Sequence, residues 1–425
     1  MKRQKKEYLI NIRKFNIIYR QKNKIFSTNK IWLINDRQEQ AGDNGEYFFR
    51  YLNKLKPKGI NFYYVIAKNC SDYKRFKLFD NIIDVYSNDY LNKFLISDKI
   101  ISSISDIWAY NPFGIDGKYI CDLFKFQFIY LQHGIIKDDI SKYLNKLSKN
   151  FNILITSSKK EFNSLLDKKY RYDKNSLILT GLARFDNLNK LKNFRKTENI
   201  ILFFPTWRIY IEGTIDLITK KSIKANNFRN TSYFNFYNNL INDNKLLEVM
   251  IKNNYTGIFC LHPNFAEQWH LFNQNIIIQI NNNCNLQELI TKSSLLITDY
   301  SSIFFDFGYI EKPVIYTQFD YIEFRSKHFP VGYFNYEKNG FGPICYDIHN
   351  CIKTIINEIR NNAKLKRFYL RRIKQFFKYI DDKNCFRIYS EITKQSKTVD
   401  TNEKIVKKLI YFILILLILI KKQSN

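Results

Sequence analysis

A chain of 425 residues, 45% hydrophobic and 17% aromatic, can bury enough apolar surface to offset chain entropy and is long enough for two cores, so wholesale disorder and a small peptide module are both excluded. Lys and Arg number 68 against 39 Asp and Glu, a formal net charge of +29, which favours phosphate-rich partners. Lys, Asn, Ile, Phe and Tyr are enriched together, as AT-rich genes give, so charge alone does not choose among nucleic acid, anionic lipid and nucleotide substrates.

From the N-terminus, residues 1–29 are basic without the apolar core of a secretory signal, and the cytoplasm is the expected compartment. The seven cysteines include no C-x-x-C pair and are odd in number, which argues against a disulfide framework or a zinc site. A strand at 31–34 runs into Asn35-Asp36-Arg37, and Asp43-Asn44-Gly45-Glu46 caps a helix starting near Tyr47. Strands follow at 62–66, 128–131, 153–155 and 177–179; the second of these leads into His133-Gly134 and the last into Gly181-Leu182-Ala183-Arg184-Phe185-Asp186. A polar stretch at 187–197 is the expected hinge between a domain at 30–190 and another at 191–394.

Beyond it, strands at 200–204, 257–261, 295–298 and 314–316 are expected. The first three end in Pro205-Thr206-Trp207-Arg208, His262-Pro263-Asn264 and Asp299-Tyr300-Ser301-Ser302. These runs lack polar alternation, as parallel strands covered on both faces do. The expected class is therefore α/β. Residues 395–408 read as a linker to an apolar tail at 409–425. Its twelve apolar residues, 409–420, are bracketed by Lys407, Lys408, Lys421 and Lys422. A helix of that length covers roughly 18 Å against a hydrocarbon core of about 30 Å, so the tail is expected to lie on an anionic membrane surface rather than span it.

In open α/β sheets, ligands bind beyond the carboxyl ends of the strands. The polar strand-end residues all stand there, which implies one shared cleft. Only five histidines occur, and His133 and His262 both sit at strand ends; they are the candidate catalytic residues. His270, His328 and His349 are expected to be structural or on the surface. Ser301 and Ser302 open a short helix whose N–H groups suit a diphosphate. Asp299 and Asp306 are possible metal ligands, but no Asp-x-Asp occurs, so Arg184, Arg208 and Arg37 are expected to supply the countercharge and no metal or cofactor is assigned. G-x-G-x-x-G, the P-loop, H-E-x-x-H and G-x-S-x-G are all absent.

These residues resemble the CDP-glycerol glycerophosphotransferases that build teichoic-acid-like and capsular polymers. The matching segments are WLINDR at 32–37, AGDNGEYFFRYL at 41–52, YLQHGIIK at 130–137, LTGLARFDNL at 179–188, ILFFPTWR at 201–208, LHPN at 261–264, LITDYSSIFFDFGYIEKPVIY at 296–316 and DDKNCFRIY at 381–389. The family's His-Gly-Thr-Pro is His133-Gly134-Ile135-Ile136 here, and its Gly-Tyr-Pro-Arg-x-Asp is Gly181-Leu182-Ala183-Arg184-Phe185-Asp186.

The resemblance implies a GT-B fold, two Rossmann-like domains facing across a cleft, and metal-independent transfer of glycerol phosphate from CDP-glycerol to a hydroxyl of a membrane- or lipid-linked glycan at the cytoplasmic face of the plasma membrane. His133 is then the general base. His262, Asn264, Ser301, Ser302, Arg184, Arg208 and Asp299 hold the donor phosphates, Asp306 and Glu311 shape the nucleoside pocket, and Arg37, Asp43 and Asn44 lie on the acceptor side. A GT-B glycosyltransferase using a nucleotide sugar would employ the same cleft. A non-catalytic polyanion-binding protein would cluster basic and aromatic residues on one face, whereas Lys is spread throughout, and nucleic acid is not an expected partner.

Overall fold

The computed structural model describes residues 29–114, 117, 126–149, 151–211, 227–280 and 285–394. The basic segment at 1–28 and the linker and apolar tail at 395–425 lie outside the described residues.

Two parallel sheets organise the chain. The first contains β1 (Lys30–Asn35), β2 (Ile60–Ile66), β3 (Ile82–Asp84), β4 (Lys99–Ser102), β5 (Gln127–Tyr130), β6 (Ile153–Thr156) and β7 (Leu177–Leu179), in the spatial order β3-β2-β1-β4-β5-β6-β7. The second contains β8 (Ile200–Phe204), β9 (Thr256–Phe259), β10 (Ile278–Ile280), β11 (Leu295–Thr298), β12 (Val314–Thr317) and β13 (Ile344–Cys345), in the order β10-β9-β8-β11-β12-β13. This is the α/β class expected from the strand pattern, in the GT-B-like pair of Rossmann-like units that the resemblance implies.

The strand order reverses between β1 and β4, where Asn35 pairs with Ser102, and between β8 and β11, where Phe204 pairs with Thr298. Such reversals open a crevice at the carboxyl ends of the strands. Both crevices carry the polar segments singled out in the sequence. All nine expected strands are present. β3, β4, β10 and β13 were not expected, because none offers more than two consecutive apolar residues within its bounds, whereas the runs read as strands have three or more.

Both faces of the first sheet are packed. Trp32, Ile34 and Tyr64 meet Phe48, Phe49 and Leu52 of the helix Asn44–Leu55 on one side, while Ile31 and Leu33 point into the other. The expected hinge at 187–197 is helical through Phe194, within the helix Arg184–Phe194. The chain reaches β8 over 195–199. At the far end, a helix at 384–394 returns to the first unit, where Cys385, Ile388 and Ile392 complete the core around Trp32 and Ile34. The second unit therefore ends before this helix rather than at 394.

Candidate active site

Asp36, at the end of β1, is buried beneath the start of the helix Asn44–Leu55. Its carboxylate accepts hydrogen bonds from the backbone N–H groups of Asp43 (3.1 Å), Gly45 (2.8 Å) and Glu46 (3.1 Å), and from Tyr64 and Ser103. Burial, reinforced by the nearby Asp43 carboxylate, still lifts Asp36 to about 6. This anchor fixes Asp43, which caps the helix by accepting from the Asn44 N–H at 2.8 Å and holds Nδ1 of His133.

Gln132 places His133 where Asp43 can reach it. It adopts the left-handed conformation (φ +65°), which a side-chain-bearing residue keeps only when its surroundings compel it. They do: its side chain donates to the Ile155 carbonyl and to Glu161, and its own carbonyl accepts from Asn44 Nδ2 at 2.7 Å. Glu161 also accepts from the N–H groups of Ile136 and Ser157 at 2.8 and 2.7 Å, which pins the loop beyond His133. The His133 ring stays 58% exposed.

Arg184 joins the two halves. Its guanidinium makes a two-pronged contact with Asp306, Nε to Oδ1 at 2.7 Å and Nη2 to Oδ2 at 2.9 Å. It also donates through Nη1 to Asp43 (2.8 Å) and to the His133 carbonyl (2.6 Å). Burial opposes the charge, but Asp306 and Asp43 outweigh it and hold the guanidinium firmly protonated. Arg184, expected to meet a donor phosphate, thus already has two carboxylates and the His133 carbonyl as partners. Asp306 is correspondingly occupied. Glu311, at the other end of the helix Ile303–Tyr309, pairs with Lys192 at 3.0 Å. Asp306, 3% exposed, is closed to the nucleoside role expected of it, whereas the Glu311 side chain is 32% exposed.

The start of that helix does face the first unit. Gly134 packs so closely on Ser302 that a methyl group added there would collide with Oγ. Side-chain capping there is slight: Ser302 makes no capping bond, and Ser301 Oγ reaches the Ile303 N–H only at 3.4 Å.

Across the cleft, Nδ1 of His262 accepts the Asn264 N–H at 3.2 Å, which leaves the proton of the neutral ring on Nε2. Burial, with Arg37, His133 and His328 nearby, pushes His262 down to about 3, so the ring is neutral near pH 7. Trp207 lies between His262 and His328, at ring-centroid distances of 5.8 and 4.8 Å. His328 is a buried structural residue whose Nδ1 accepts the Ile209 N–H at 3.0 Å. Among the described residues the Arg37 side chain has no hydrogen-bond or ion-pair partner, and it acts electrostatically on His262.

Arg208 and Asp299 differ most from expectation. Both side chains are 0% exposed and meet each other at 2.9 Å. Arg208 also pairs with Asp320 at 2.6 Å, Asp299 accepts from the Thr206 N–H (2.8 Å) and Tyr237 hydroxyl (3.1 Å), and Tyr210 and Tyr300 donate to Asp320. Direct phosphate contact is closed to both; they tie the ends of β8 and β11 together beneath the cleft. Asn44, expected on the acceptor side, is likewise fully buried, clamping Gln132 and the Arg184 N–H (3.0 Å). Asp320, Ser103, Gln132 and Glu161 were not anticipated, and only their position just beyond or beneath strand ends hints at them.

Residues 15–394 match the family described as CDP-glycerol:poly(glycerophosphate) glycerophosphotransferase. The chain is 38% identical over 371 residues to the minor teichoic acid biosynthesis protein GgaB of Bacillus subtilis (strain 168), covering 87% of this chain and 40% of that protein. It is 23% identical over 303 residues to the teichoic acid glycerol-phosphate primase of the same organism, covering 68% and 69%. The fold matches the solved structure of the wall teichoic acid polymerase TagF at a TM-score of 0.61, with 16% identity and coverage of 93% and 96%. The chain spans 40% and 54% of the first two curated relatives it matches, GgaB and a poly(glycerol phosphate) polymerase of Bacillus spizizenii. With that match over most of its length, the chain belongs to the CDP-glycerol:poly(glycerophosphate) glycerophosphotransferase family.

Proposed function

We propose that this chain transfers glycerol phosphate, or a related polyol phosphate, from CDP-glycerol to a hydroxyl of a membrane- or lipid-linked cell-envelope glycan, releasing CMP at the cytoplasmic face of the plasma membrane. The observation that carries the reading is the opposite wiring of the two cleft histidines. Asp43 on Nδ1 of His133 turns its Nε2 into a proton acceptor, while the Asn264 N–H on Nδ1 of His262 turns its Nε2 into a donor. One face of the cleft can remove a proton and the other can stabilise negative charge.

In this mechanism His133 Nε2 takes the proton of the acceptor hydroxyl as its oxygen attacks the β-phosphorus of the donor. The bond from that phosphorus to the CMP oxygen breaks, and CMP departs with the electron pair. His262 Nε2–H, Asn264 and the Ser301-Ser302 turn hold the diphosphate, where charge builds on the leaving phosphate. Arg37 supplies the cation that Arg184 and Arg208, already paired, do not. The test is mass analysis of products formed by the purified chain with a membrane extract and CDP-glycerol, CDP-ribitol or a nucleotide sugar. Glycerol phosphate transfer with CMP release is expected; sugar transfer alone would replace this reading with a glycosyltransferase.

A further inference from the structure

A second surface stands apart from the cleft. Residues 360–378 carry eight Lys and Arg and no carboxylate, and the helix Arg367–Phe376 lies within them. Arg367, Arg371 and Lys374 are exposed, at i, i+4 and i+7, so they form one stripe, which exposed Lys378 extends. The opposite face is spent on the protein: Ile373 and Phe376 are buried, and Phe376 stacks on Phe305 of the helix that begins at Ser302, with centroids 4.7 Å apart.

Beside the stripe Phe368 is 57% exposed. It is held there by Arg372, which lies 4.2 Å from its ring centroid and donates to the carbonyls of Gly340 (3.0 Å) and Glu337 (2.7 Å). The buried Glu358 nearby pairs with Lys366 at 3.1 Å.

We infer that this stripe, with Phe368 at its edge, is the face by which the chain docks on an anionic lipid bilayer. The charge complementarity is one-sided, and a fixed aromatic beside a row of cations suits the headgroup region, where the ring enters the acyl boundary and the cations meet lipid phosphates. The inference gives a place in the fold to the membrane partner proposed above. It does not depend on the transfer chemistry. Because Phe376 buttresses Phe305, a bilayer on this face would lie behind the helix that opens at Ser302, one packing layer from the cleft.

The experiment compares the full chain with a variant carrying Arg367→Gln, Arg371→Gln and Lys374→Gln, and with Phe368→Ser, by co-sedimentation with vesicles. One set is phosphatidylcholine alone and the other equal parts phosphatidylcholine and phosphatidylglycerol. Each basic residue near such a surface contributes about a fivefold gain in partition, so the triple variant should bind the anionic vesicles roughly a hundredfold less well. Phe368→Ser should lower binding several-fold with unchanged salt dependence.

Partition of the triple variant within twofold of the parent overturns the inference. So does equal parent binding to both vesicle sets, or a triple variant that loses only its binding to soluble polyphosphate, which would assign the stripe to a polymeric anion. CMP release with a soluble acceptor should be the same in parent and variants. Its failure in the parent would overturn the transfer reading and leave the vesicle result standing.

Discussion

Asp43 holds His133 by Nδ1 and Arg184 by Nη1 at the same time, so the exposed imidazole and the cation that joins the two halves share one carboxylate. Its charge is secured against burial by His133 and Arg184, which keep Asp43 below the usual carboxylate range. Asp43→Asn retains a good helix cap but withdraws the charge that orients the imidazole. A fall in kcat of about a hundredfold, with KM for the donor within twofold and Tm little changed, is expected from steady-state kinetics and thermal unfolding. An equal rise in KM would show that Asp43 touches substrate instead.

His133→Ala and His262→Ala should each abolish CMP release while leaving the fold intact, since neither ring is part of a core cluster. A folded-state value of about 3 for His262, against 6.5 when unfolded, means that the unfolded chain binds more protons between those limits. Stability contributed by this site is then present above pH 6.5 and lost as pH falls toward 3. Denaturant midpoints from pH 4 to 7 should rise less steeply in His262→Ala than in the parent.

Arg37→Gln isolates the unpaired cation. With no partner to lose among the described residues, the substitution should leave Tm unchanged and weaken CDP-glycerol binding about tenfold, the worth of one charge-assisted contact. Titration calorimetry checks this. Arg184→Met should behave in the opposite way: it strands Asp306 and Asp43 in a buried setting and should cost about 3–5 kcal/mol of stability, read by urea unfolding.

The strand runs and the strand-end motifs were legible in the sequence because hydrophobic blocks and scarce histidines are local signals. The partners of those motifs were not. Arg208 and Arg184 look identical as strand-end arginines, and only tertiary packing sends one to Asp299 and Asp320 beneath the cleft and the other to Asp306 across it. β4 was invisible because its apolar run is only Ile100 and Ile101 between Lys99 and Ser102, so Ser103 beside Asp36 could not be placed. The helix at 384–394 reads as part of the second unit by chain order alone, since nothing in its pattern says which core receives Ile388.

Glu161 offers a test of the loop behind His133. Burial outweighs the hydrogen bonds it accepts from Ser157, Gln132 and Ile136 and lifts it to about 7, above the 4.5 of the unfolded chain. The folded state therefore binds the proton more tightly, and stability should decline by about 3 kcal/mol as pH rises from 4.5 through 7. Glu161→Gln should flatten that slope in urea titrations at pH 5 and pH 8. An unchanged slope would assign the decline to Asp36, which is raised in the same direction.

The return of the helix at 384–394 to the first sheet bears on how the protein is made. During synthesis the first sheet emerges with its floor open, because Cys385, Ile388 and Ile392 follow the whole second unit off the ribosome. The N-terminal lobe must wait, apolar underside uncovered, while some two hundred further residues are added. A nascent chain stalled after β13 would offer chaperones a nearly complete enzyme with one greasy wall missing.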